Sequence, residues 1–279
     1  MNSLLFLLPL LLPAAQSPAP ADPARVKTAV VELEKAWKSS EAGERIRAIQ
    51  AHATVADAEV VKLIAKGLKD KQLDVQKASI EALRWINHPD ALAQLQSAAK
   101  DSKFYKDQPV VFGSLLKAVG QYGNKSSIPV LTSDVWSVQE QSVIQARILG
   151  LGRIRTHESV EALMDLMKVA GTRRIENFMG DFRLALMTLT GADMGSSALA
   201  WQQWWSDNKS KLKIAPQPGE LPKELDRRWK YYWGELTEED RPRKRSERGK
   251  DAPEAPVAPP EAPSGGNTPP KREKKEGGN

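Results

Sequence analysis

The sequence predicts an all-α protein built as a right-handed α-solenoid of about five stacked helix pairs, with capping helices at both ends. Three observations lead there. First, one pattern of apolar and small residues is written three times between Val75 and Leu163. Second, each copy holds a helical spacing, a break, and then another helical spacing. Third, each break carries residues that start helices: His88-Pro89, Asn124 and Thr156. A unit of this kind cannot bury its apolar face alone, so copies must stack.

The columns appear when Leu83, Val119 and Leu151 are aligned. Eight residues earlier stand Val75, Val111 and Val143, and three earlier Ile80, Leu116 and Ile148. Five earlier come Ala78, Ser114 and Ala146, small residues expected to let paired helices approach closely. Beyond the anchors follow Ile86, Tyr122 and Ile154, then Leu92, Ile128 and Val160, then Leu95, Leu131 and Leu163. The anchors are 36 and 32 residues apart, and the regular copies span 73–100, 107–134 and 139–170.

In chain order, residues 1–21 read as a secretory signal peptide. Leu4–Leu12 is an apolar run interrupted by Pro9, too short to span a membrane, and small residues follow it at Ala14, Ala15, Ser17, Ala19 and Ala21. No Lys or Arg precedes the run. The expected location is therefore exported, periplasmic or extracellular, with no membrane span after cleavage. The solenoid is expected over 22–212. Val26, Ala29, Val30, Leu33 and Trp37 form the stripe of an opening helix, and a looser pair follows through Ile46, Ile49, Val60, Val61, Ile64 and Leu68. The array closes on Leu189-Thr190-Gly191-Ala192-Asp193-Met194-Gly195 and a helix bearing Trp201, Trp204 and Trp205, whose area suits a terminal layer.

A linker over 213–220 leads to a last helix at 221–234. Leu221, Leu225, Trp229, Tyr232 and Trp233 share one broad face, and Gly234 supplies a stop. So short a helix must pack on something. It either caps the solenoid or enters a partner's groove, which makes Trp229, Tyr232 and Trp233 candidate partner anchors. Residues 235–279 read as a basic then Pro-rich disordered tail. Arg241, Arg243, Lys244 and Arg245 are its candidate contacts for an anionic partner.

The repeat has a resemblance. Leu73-Asp74-Val75-Gln76-Lys77-Ala78-Ser79-Ile80-Glu81-Ala82-Leu83 resembles the first helix of a short bacterial HEAT repeat. Ala118-Val119-Gly120 through Leu131 is similar to its turn and second helix, and Leu151-Gly152-Arg153-Ile154 through Leu163 repeats this. The L-T-G-x-D-x-G turn with W-x-x-W-W resembles the closing unit of HEAT proteins exported by planctomycete-like bacteria. The resemblance covers roughly 42–212 and implies an armadillo-like helical scaffold that binds proteins. It also implies an enzymatic alternative, because some HEAT-like proteins are bilin lyases or glycosylases acting on alkylated bases.

Composition narrows the chemistry. Lys and Arg exceed Asp and Glu by 41 − 35 = 6 in 279 residues, a mild excess that does not demand nucleic acid. With no cysteine there is no disulfide, thiolate nucleophile, iron–sulfur cluster, cysteine zinc site or lipid-bearing N-terminal Cys. His88-Pro89-Asp90 copies the tripeptide of J-domain cochaperones, but the repeat register explains it as a capped turn. Gly120–Ser126 fails the spacing of a phosphate loop. His52, His88 and His157 lie in different repeats, so no metal, cofactor or catalytic triad is expected. The expected function is a non-catalytic scaffold with a protein or peptide partner on the solenoid surface. The alternative is envelope or nucleic-acid binding through the basic tail.

Overall fold

A computed structural model describes residues 21–101, 107–136, 138, 140–169 and 176–237. The expected signal segment up to residue 20 and the basic run from Arg241 lie outside the described residues.

Among the described residues there are twelve α-helices and no strand. They are α1 (Pro23–Ala36), α2 (Ala42–Ala51), α3 (Ala58–Ala65), α4 (Leu73–Trp85), α5 (Pro89–Ala99), α6 (Pro109–Gln121), α7 (Ile128–Thr132), α8 (Gln141–Arg153), α9 (His157–Val169), α10 (Met179–Thr190), α11 (Ala198–Asn208) and α12 (Lys223–Trp233). The starts follow the capping chemistry that the sequence offers. Asp57 accepts from the backbone N–H groups of Glu59 and Val60, His88 Nδ1 accepts from Asp90 with Pro89 at the first helical position, and Asn124 accepts from Ser126. The Thr156 hydroxyl accepts from the Ser159 N–H.

These helices make an α-solenoid of five pairs: α2/α3, α4/α5, α6/α7, α8/α9 and α10/α11. The first helices form one layer in which α2, α4, α6, α8 and α10 each pack on the next. The second helices form the other layer, opened by α1 against α3. The apolar columns fill the space between them. Val75, Ile80, Leu83, Leu116, Val119, Val143, Ile148, Leu151, Leu95, Leu131 and Leu163 are all buried.

The small column behaves differently from expectation. Ala146 is buried, but Ala78 is half-buried and Ser114 is exposed. Between successive first helices, the close approach is made by glycines. A Cβ on Gly120 would stand 2.7 Å from the Gly150 Cα, and one on Gly152 would stand 2.7 Å from the Ala185 Cβ. The columns marked the apolar faces correctly, yet small size alone did not mark contact between first helices.

The closing unit is built as a turn and a cap. Gly191 ends α10 at φ +72°, and Gly195 takes φ +62°. Between them Asp193 accepts from the Gly195 N–H and pairs with Arg183 Nε at 2.8 Å. Trp201 is fully buried and donates Nε1–H to the Gly195 carbonyl at 2.9 Å, while the Trp205 ring meets the His157 ring at 5.0 Å, tilted by 45°. Trp204 is half-buried against the Trp201 edge.

Candidate interaction surface

The two layers present two faces, and the chain treats them differently. The first-helix face is covered by α12. This helix begins without a side-chain cap after Pro222 and stops at Gly234, which takes φ +77°. Its aromatic stripe turns inward: Trp233 is fully buried, Trp229 is buried, and Tyr232 is half-buried. The Trp233 ring meets the Trp229 and Tyr232 rings edge-on at 5.6 and 4.9 Å.

Four consecutive first helices hold α12. From α4, Arg84 donates to the Trp233 carbonyl at 2.6 Å. From α6, Lys117 sits 4.7 Å over the Tyr232 ring, and Gly120 leaves room for the Trp233 indole. From α8, Arg153 lies 4.8 Å over the Trp233 ring and pairs with Glu235 at 3.4 Å. From α10, the buried carboxylate of Asp181 accepts from Arg228 and, at 3.0 Å, from Gln145. Eleven residues make about 16 Å of helix, so long side chains complete the span.

This packing shifts the charged groups beneath the helix. Burial, with Arg84 nearby, pulls the Lys117 ammonium down to about 8. Burial pushes the Asp181 carboxyl up, against the opposing pull of Arg228 and Gln145. Burial also raises the Tyr232 and Tyr122 hydroxyls. The Tyr122 hydroxyl lies between the carbonyls of Leu83 and Ile86 and ties the end of α6 to α4.

Of the candidate partner anchors, Trp229 and Trp233 are therefore occupied by their own chain. As folded, they offer no surface to a partner. The burial follows from the short helix: its apolar face is larger than its hydrogen bonding could support alone in water. Arg241, Arg243, Lys244 and Arg245 lie outside the described residues.

The second-helix face carries a groove of about 620 Å³ between α7 and α9. Ile128, Val135, Trp136, Ala162 and Leu166 give it an apolar floor, and Asp134, Glu158, Glu161 and Asp165 rim it. The α9 contribution follows from helical spacing: Glu158, Glu161 and Asp165 recur at i, i+3 and i+7, one step from Ala162 and Leu166. All four carboxylates are exposed. Glu158 is held below the usual carboxylate range by its own backbone N–H and the Thr156 hydroxyl. Asp165 meets Lys168 at 3.1 Å in a pair open to solvent.

One wall rests on a buried cation. Arg147, 3% exposed, donates to the carbonyls of Val130 and Leu131, where α7 stops after five residues. Burial pulls its guanidinium down to about 10, opposed by Asp134. Asp134 itself takes φ +49° at the groove edge. Sequence reasoning missed this groove. Acids at helical spacing do not by themselves distinguish a groove rim from a solvated face, and the early end of α7 that opens the space is visible in the sequence only as Thr132-Ser133-Asp134.

The histidines serve local roles. His52 Nε2 meets Glu32 at 2.8 Å, His88 caps α5, and His157 Nε2 meets the Lys209 carbonyl at 2.8 Å. No group of three or more His, Asp or Glu placed to hold a metal occurs among the described residues. Nor is any helix among them long and apolar enough to cross a membrane. No curated protein matches the chain. Residues 30–108 match the family model of HEAT repeats, which places the likeness on the stretch from within α1 through the pairs α2/α3 and α4/α5.

Proposed function

We propose that this chain is an exported, non-catalytic HEAT-repeat scaffold whose partner is a protein or peptide carrying basic and apolar residues. The observation that carries this reading is the groove between α7 and α9, an apolar floor inside an acidic rim. An apolar cleft that a five-residue helix leaves open is a surface to cover, and its charged edge selects the sign of what covers it. The opposite face is already filled by α12. Because the carboxylates are exposed and spread along a helix rather than converging on one point, they suit recognition better than acid–base chemistry. Export rests on the Leu4–Leu12 run and the small residues that follow it.

Capture from the native envelope fraction with full-length bait tests the reading. Wild type should retain a protein through a Lys- or Arg-bearing segment, and the variant Glu158→Gln, Glu161→Gln, Asp165→Asn should lose it. Equal capture by both would move the partner surface elsewhere. N-terminal sequencing of the native protein should begin between Gln16 and Asp22; a start at Met1 or Asn2 would remove export.

A further inference from the structure

The strongest complement to the groove is in the same chain. We infer that the basic run Arg241–Lys250 docks into the acidic groove between α7 and α9 and covers it until a partner replaces it. This rests on the groove being a recognition surface, as proposed above.

Charge gives the first reason. Residues 241–250 carry six Lys or Arg and one Glu, while the groove is rimmed by Asp134, Glu158, Glu161 and Asp165. Lys168 already pairs with Asp165, and Arg147 stands beneath Asp134, so Glu158 and Glu161 offer the greater attraction. Backbone form agrees too. Pro242 lies inside the run, a residue type that fits poorly inside a helix and well in a strand-like ligand along α9. From Glu158 to Leu166 that groove covers eight residues of helix, about 12 Å.

Reach gives the second reason. Glu235 is pinned to Arg153 at 3.4 Å, where α8 ends. From Arg153 the chain takes five residues to Glu158 in the first turn of α9, at most about 18 Å even if fully extended. The tail leaves Glu235 at that same edge of the fourth pair. Six residues to Arg241 can cover up to about 20 Å, and ten residues to Arg245 up to about 35 Å. The run therefore reaches the groove by crossing only the edge of the fourth pair, where α8 turns into α9. Tethering of this length gives a local concentration in the millimolar range, so even exposed ion pairs of modest strength hold the segment. A free basic peptide would have to displace it.

Because the chain has no cysteine, a single label can report on the tail. A nitroxide on Ser246→Cys in the full-length protein should broaden the amide signals of Glu161, Ala162 and Asp165. The broadening should vanish in the Glu158→Gln, Glu161→Gln, Asp165→Asn background and at high salt. If it is absent in wild type, or survives in that background, tail docking is wrong. If it arises only when labelled and isotope-enriched molecules are mixed, the occupant is the tail of a second copy and the intrachain assignment falls.

A parallel arm separates this inference from the groove reading. A labelled peptide of residues 238–250 is titrated into full-length protein whose Arg241, Arg243, Lys244 and Arg245 are changed to Gln. Binding that weakens roughly tenfold in the triple groove variant supports the groove as a basic-segment site. Such binding without broadening in wild type leaves the groove reading standing and tail docking overturned. If neither is seen, both fall.

Discussion

Gly120 and Gly150 show how different two helical glycines in contact can be. An added methyl at Gly120 would meet backbone, the Gly150 Cα at 2.7 Å, so α6 and α8 would have to move apart. At Gly150 the nearest atoms are the Leu131 methyls at 3.2 Å, ends of a side chain that can turn away. Alanine gains about 1 kcal/mol of helix propensity over glycine, whereas overpacking costs about 1–3 kcal/mol. Gly120→Ala should therefore destabilise, by up to about 2 kcal/mol net, and Gly150→Ala should be close to neutral; urea unfolding of both decides it. Lys117 yields a prediction of another kind. Its folded value of about 8 lies below the usual 10.5, so between these values the unfolded chain binds more protons than the folded one. Stability should then rise with pH through that window, relative to Lys117→Gln, as melting curves from pH 7 to 10 would show. Above about pH 10 Tyr122 and Tyr232 act in the opposite sense, since their raised hydroxyls ionise on unfolding, so the comparison is read below that pH. Of these features, the sequence displayed the buried columns because apolar residues recur at helical spacing. It hid the glycine contacts and the shifted lysine because those depend on how neighbouring repeats rotate against each other.

At the level of the element, α12 was legible as a helix and ambiguous as a function. Leu225, Trp229, Tyr232 and Trp233 mark a wide face, and Gly234 marks the end, but nothing local says what that face meets. The partners are Arg84, Lys117, Arg153 and Asp181, more than forty residues upstream and on four different helices. Trp233→Ala should cost about 3–5 kcal/mol, the loss expected for a fully buried aromatic. Arg228→Ala should also destabilise, because it leaves the buried Asp181 carboxylate without its cation. Asp181→Asn in the same background should recover part of that loss. Ending the chain at Gln217 should lower the melting temperature and promote aggregation; an unchanged melting temperature would deny α12 its capping role. The final tryptophan cluster shows a finer limit of sequence reading. Trp201, Trp204 and Trp205 look equivalent in a list, yet the first and third are buried and the second is not. Trp201→Ala should thus cost more than Trp204→Ala in the same unfolding assay.

Over the whole molecule, stacking gives each helix pair contacts mainly with its neighbours, and an array of that kind ordinarily frays from its ends. Amide exchange should show otherwise at the C-terminal end. Protection in α10 and α11 should match that in α4 in the full chain and fall below it once α12 is removed. The reason is the hydrogen bond from Arg84 to the Trp233 carbonyl, which joins residues 149 positions apart. That bond also sets an order of events. During synthesis the pairs from α2 to α11 can form as they emerge, each on local contacts, but α12 finds a complete seat only after α4, α6, α8 and α10 are in place. Its docking is the slow, non-local closure of an otherwise fast and local process. In the reverse direction it is a gate for the pairs it clamps: α4, α6, α8 and α10 cannot separate while α12 is seated, so their parting waits on the release of eleven residues.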